Sequence, residues 1–136
     1  MHDRSSMIKT IRPTIISAKF DENTSCEERF QNATLRPIIK LQNLLLIEVF
    51  RYYILKHKNK YYELSLEKKM IYIENAIQKD IRFRNSIKGL IVGHFTIEEY
   101  QVYTENASLL NKRMMSMIVN RLKDQMQLLE NDCLVY

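Results

Sequence analysis

Ser65 to Gly93, SLEKKMIYIENAIQKDIRFRNSIKGLIVG, is the stretch whose reading decides the fold class. Leu66, Met70, Ile73, Ile77, Ile81, Ile87 and Ile91 recur at three-to-four spacing, which lines up one apolar face of a helix. Ser65 suits the N-cap of that helix, and Gly93 suits a left-handed position just past its end. Gly89 inside it costs about 1 kcal/mol against alanine, so its presence points to a close helix contact. At Asp80 and Arg84 the face turns polar, placing an acid and a base four residues apart where leucines belong.

Working back towards the N-terminus, LRPIIKLQNLLLIEVFRYYILKH, Leu35 to His57, is apolar around much of a helix circumference. Ile38, Leu41, Leu45, Tyr52 and Leu55 share one face; Ile39, Leu46, Phe50 and Tyr53 occupy another. Such a helix is normally central and covered on several sides. Glu48 falls on the first face, so it is read as a second inward charge. Ser25 and Glu28 have capping-box spacing for a helix that would carry Phe30 and Thr34 inward and meet Pro37. Alternatively Thr34 caps a new helix with Pro37 in its first turn. The two differ by a kink. Residues 1–24 are mixed: Ile8, Ile11, Ile15 and Ile16 suit a short amphipathic helix broken near Pro13, followed by a loop over Asp21 to Ser25. This arm is expected to pack loosely or on a partner.

Towards the C-terminus, Lys56 to Leu64 is a basic connection. Thr96-Ile97-Glu98-Glu99 is the cleanest local signal in the chain, a capping box opening a last helix to about Glu130. Tyr100, Tyr103, Ala107, Leu110, Met114, Met117 and Arg121 follow one stripe of it. At 1.5 Å per residue it would span roughly 50 Å, long enough to project an end onto a partner or a second copy. The methionine-rich run Lys112 to Leu122 reads as core at helical spacing, with a dimer interface as the other use of such flexible side chains. The tail Asn131 to Tyr136 is expected to fray.

These pieces predict an all-α protein: an antiparallel bundle of three long helices with a shorter N-terminal helical segment. Residues 1–24 form the arm, 25–130 the bundle domain and 131–136 the tail. Two glycines and two prolines in 136 residues are too few for a turn-rich sheet fold. With 46% hydrophobic and 27% charged residues the composition is that of a soluble globular chain, and the longest apolar run, LLLIEVF, is too short to cross a membrane. The start, MHDRSSMIKTIRP, lacks the apolar stretch of a signal peptide, so a cytoplasmic location is expected. Cys26 and Cys133, without a CxxC pattern, read as free thiols. A formal net charge of +5 permits an anionic partner without demanding one.

No motif fixes a reaction. The candidate ligand-binding set is the inward polar cluster Glu48, Asp80, Arg84 and Arg121, with Arg84 placed to fork onto a carboxylate. It reads either as a pocket for an anion or polar metabolite, or as a salt-bridge network fixing helix register. Metal ligation has no support, because no Glu or Asp stands three or four residues from a helical histidine. No cofactor is indicated, and no catalytic residue: a GxSxG elbow and a glycine-rich phosphate loop are both missing. His94 and Thr96 suit a turn and a cap as well as an anion site. Lys56, Lys58, Lys60, Tyr61 and Tyr62 are the candidates for weak nucleic-acid contact, charge on the backbone and tyrosines stacked on bases. The leading expectation is a non-enzymatic interaction module that self-associates as a dimer or binds another protein.

The segments Thr34 to Asn43, Ser65 to Asp80, Phe95 to Tyr103 and Asn111 to Lys123 resemble a group of small, uncharacterised bacterial helical proteins. The resemblance implies a helical fold and little about chemistry. Some members of that group carry an automatic glyoxalase label, which this sequence does not support. The metal-dependent lyase type needs His and Glu ligands on strands, and the hydrolase type needs a THxHxDH motif.

Overall fold

The computed structural model describes residues 3–14 and 25–130, and every regular element among them is helical. Ile15, Ile16, the 21–24 loop, Cys133 and the 131–136 tail lie outside the described residues. The order is α1 (Arg4–Ile11), α2 (Cys26–Phe30), a π-helical turn (Gln31–Leu35), α3 (Arg36–Leu41) and α4 (Asn43–Lys56). There follow a 3-10 turn (Lys60–Glu63), α5 (Leu66–Gln78), α6 (Ile81–Val92), α7 (Ile97–Glu105), α8 (Ala107–Asp124) and α9 (Met126–Glu130). Among the described residues no helix is long and apolar enough to cross a membrane.

The three long helical passages are each broken. Ser65 does cap its helix, accepting from the Lys68 N–H. That helix stops at Gln78, and Asp80 swings to an extended backbone with ψ of 96°. Asp80 is therefore the N-cap of α6, its carboxylate accepting from the Phe83 N–H, rather than a mid-helix inward charge. The break resets the helical phase. Ile73, Ile77, Ile87 and Ile91 are buried as the periodicity predicts; Leu66 and Met70 in the first turns of α5 are exposed, and Ile81, which extends the same spacing across the break, is 70% exposed.

Pro37 is met by the kink. Arg36 N–H donates to Gln31 O, five residues back, in the widened turn just before the proline. Gly89 is not at a close contact, since a Cβ there would meet nothing within 4 Å. Gly93 is right-handed, with φ of −59°; the left-handed backbone falls at Lys58 and Asn59, φ 64° and 56°, which turn the chain from α4 into α5.

α5 packs along α8 and α6, and α8 also meets α4 and α7. Leu110, Met114, Met115, Ile118, Val119 and Leu122 form the α8 side of the core, so these methionines are interior. Phe50 on α4 is the aromatic centre, with Tyr53, Tyr61, Tyr72 and Phe83 ring centroids 5.7 to 6.3 Å away. The last passage does not project. It bends at Asn106 and Gln125, and α9 packs on α4 with Leu129 fully buried. Tyr62 donates to Leu129 O, and Lys69 pairs with Glu130.

The N-terminal helix is held rather than loose. Arg4 donates to the carbonyls of Phe95 and Gly93, and Arg12 to His94 O and to both Glu99 oxygens. The Thr96–Glu99 capping box forms in full. Thr34 adds its hydroxyl to Glu99 at 2.7 Å, tying the π turn to the start of α7.

Candidate functional site: an open groove between α4 and α6

α4 is apolar on two faces, and the core takes Leu46, Ile47, Phe50 and Ile54. Of the first face expected to point inward, Ile38 is buried, but Leu41, Leu45, Tyr52 and Leu55 are left outside, as is Leu44. The expectation fails because both faces are hydrophobic, and only the neighbouring helices decide which is covered. Glu48 goes out with that face and meets Arg51 at 3.4 Å, one turn on.

Beside this face an open groove of about 970 Å³ runs between α4 and α6. Val49, Tyr52, Tyr53 and Phe83 give it an aromatic and apolar lining; Glu48, Asp80, Lys56, His57 and Arg82 bring both signs of charge. Of the inward polar set, Glu48 and Asp80 are thus brought to one groove. Arg84 and Arg121 are half-buried elsewhere and do not line it, so the four do not form one cluster.

Asp80 organises the groove floor. Its Oδ1 accepts from Phe83 N–H at 3.1 Å and its Oδ2 from the Tyr53 hydroxyl at 3.0 Å. The Phe83 N–H above all holds the carboxyl below its ordinary range; partial burial opposes this, and the Tyr53 hydroxyl and nearby His57 add to the lowering. Burial, then the hydrogen bond and charge of Asp80, push the Tyr53 phenol up. It stays a protonated donor at neutral pH. The Tyr53 ring lies 4.1 Å from His57 and 4.2 Å from Phe83. His57 Nδ1 donates to Tyr53 O at 2.8 Å, which fixes the ring against the end of α4. With both Asp80 oxygens engaged, the arrangement suits binding better than proton transfer. Sequence reasoning missed Tyr53, His57, Arg82 and Phe83. The one available signal was aspartate before IRF, a strong N-cap residue that would have placed Phe83 and Arg82 in a first turn.

The nucleic-acid set divides. Lys56, Lys58 and Lys60 are exposed, but Tyr61 is 0% exposed and packs between Phe50 and Tyr72, so it offers no stacking face. Tyr62 is partly exposed with its hydroxyl committed to α9. Lys56 lies over the Tyr52 ring, 5.4 Å from its centroid. Among the described residues no group of three or more His, Cys, Asp or Glu is gathered as metal ligands would be. No family model matches the chain, and no curated protein or solved structure is found to match it.

Proposed function

We propose that this protein is a non-enzymatic helical interaction module that self-associates, with the outer face of α4 as its docking surface. One observation carries the reading: Leu44, Leu45, Tyr52 and Leu55 are 56%, 45%, 57% and 57% exposed along a single helix that also abuts an aromatic groove. A contiguous apolar face of this kind on a small domain marks an interaction site, whereas isolated surface leucines do not. An antiparallel course for the three helical passages, a cytoplasmic setting and kinship with the small bacterial helical proteins belong to the same proposal. Size-exclusion chromatography with light scattering across a concentration series tests it. The expected mass is that of a dimer, reverting to a monomer in Leu45→Glu with unchanged far-ultraviolet circular dichroism. A wild-type chain that stays monomeric at millimolar concentration would sink it.

The groove itself favours a second reading, a small-molecule site using Glu48 and Asp80. Its volume suits a ligand, and charged groups converge on an apolar lining. A thermal-shift screen decides: a metabolite that stabilises the wild type but not Asp80→Ala supports it, because binding to the native state raises Tm.

A further inference from the structure

Leu41, Leu45, Glu48, Tyr52 and Leu55 follow a four-three-four-three spacing, the a/d seam of a coiled coil, on the exposed side of α3 and α4. Resting on the self-association reading, we infer that the occupant of this seam is the same seam of a second copy, laid antiparallel about a two-fold axis level with Phe50. An isologous contact requires that if residue i meets residue j, then j meets i. In this pairing Leu45 faces Leu55 of the second copy, Glu48 faces Tyr52, and the same two layers repeat beyond the axis. Leu41 falls opposite the Lys58–Asn59 turn, where the contact ends.

Glu48 selects this alignment. A parallel pair in register would press Glu48 against Glu48, burying like charges. So would an antiparallel pair centred on Glu48. Sliding by one heptad, so that Leu45 faces Glu48, leaves the carboxylate against a leucine with no donor from the second copy. Only the Phe50-centred alignment sets leucine on leucine and gives each Glu48 a phenol donor. The ammonium of Lys56, held over the Tyr52 ring, comes to the same place and supplies a complementary charge. Each Glu48 keeps its own Arg51 as well.

Cysteine cross-linking tests the alignment in a chain carrying Cys26→Ser and Cys133→Ser. Leu45 and Leu55 are exposed, so replacing either leaves the fold intact. Mixing Leu45→Cys protein with Leu55→Cys protein under mild oxidation is expected to give at least tenfold more disulfide dimer than either alone. Two copies of residue 45 would stand about 15 Å apart along the axis, beyond disulfide reach. A dimer by light scattering that cross-links through Leu45→Cys alone, or in neither case, overturns the alignment and leaves self-association standing. A monomer at every concentration overturns both.

Discussion

Arg12 and Glu99, 87 positions apart, close on each other through two hydrogen bonds, Nη1 to Oε2 at 2.6 Å and Nη2 to Oε1 at 2.8 Å. Their side chains are 9% and 16% exposed. Thr96 N–H and the Thr34 hydroxyl fill the rest of the carboxylate's acceptor capacity. This pair, with the Glu99 carboxylate saturated, joins α1, the π turn and α7. Arg12→Ala removes the cation and leaves the carboxylate buried with two neutral donors, so a loss of about 2–3 kcal/mol in denaturant unfolding is expected. Arg12→Lys, which cannot fork, should recover only part of it.

Acid should undo the same junction. Burial would raise the Glu99 carboxyl, but the Arg12, Thr96 and Thr34 hydrogen bonds and the Arg12 charge outweigh it and hold the group down from 4.5 to about 2. A depressed carboxyl contributes stability that is present above pH 4.5 and lost as pH falls towards 2. Its share is about 3 kcal/mol at 1.36 kcal/mol per unit. His94 adds an earlier step. Burial first, then the Arg12 and Arg4 charges, lower its pKa from 6.5, so its contribution begins to fade as pH drops below that value. Urea midpoints measured from pH 8 to 2 should fall in two stages. His94→Gln should flatten the first stage, and Glu99→Gln the second.

Tyr53 and Asp80 join α4 to the start of α6, and each should depend on the other. Asp80→Ala removes an N-cap and orphans the phenol, costing about 1–2 kcal/mol. Tyr53→Phe costs less, because Asp80 keeps the Phe83 N–H. A double-mutant cycle should return a coupling of about 1 kcal/mol. A coupling near zero would mean the bond is not formed in solution.

The all-α class, the Thr96–Glu99 box and most core positions were legible because they depend on local periodicity and capping. The Asp80 break was hidden by coincidence: Ile77 to Ile81 has helical spacing even though the helix ends between them. The two apolar faces of α4 are equivalent in sequence, so burial of Phe50 rather than Tyr52 is decided by α5, α6 and α8. Arg12 carries no local sign of Glu99. The candidate site was half legible for the same reason. Glu48 and Asp80 do share a groove, but Arg84 was assigned to it by a helical phase that α6 does not keep, and Arg121 belongs to α8, which does not line it.

Gly89→Ala should stabilise the protein by about 0.5–1 kcal/mol, since the position is exposed, mid-helix and open to a Cβ. Thermal unfolding should shift up by a few degrees. Gly93→Ala should not share the gain, because its Cβ would stand 3.0 Å from Gly89 O. A destabilised Gly89→Ala would restore the close helix contact that its sequence position suggested.

Tyr61 should behave as a core residue with an unwanted hydroxyl. Its oxygen is buried without a hydrogen-bond partner among the described residues, and burial, then Glu130 and Tyr62, push its pKa up. A buried hydroxyl without a partner costs about 1–3 kcal/mol, so Tyr61→Phe keeps the ring contacts with Phe50 and Tyr72 and removes the penalty. Unfolding free energy should stay level or rise by up to about 1 kcal/mol. Tyr61→Ala, which also deletes the ring, should lose about 3–5 kcal/mol. If the phenylalanine variant is instead clearly weaker than wild type, the hydroxyl has a partner in solution and the 60–63 turn is anchored by more than packing.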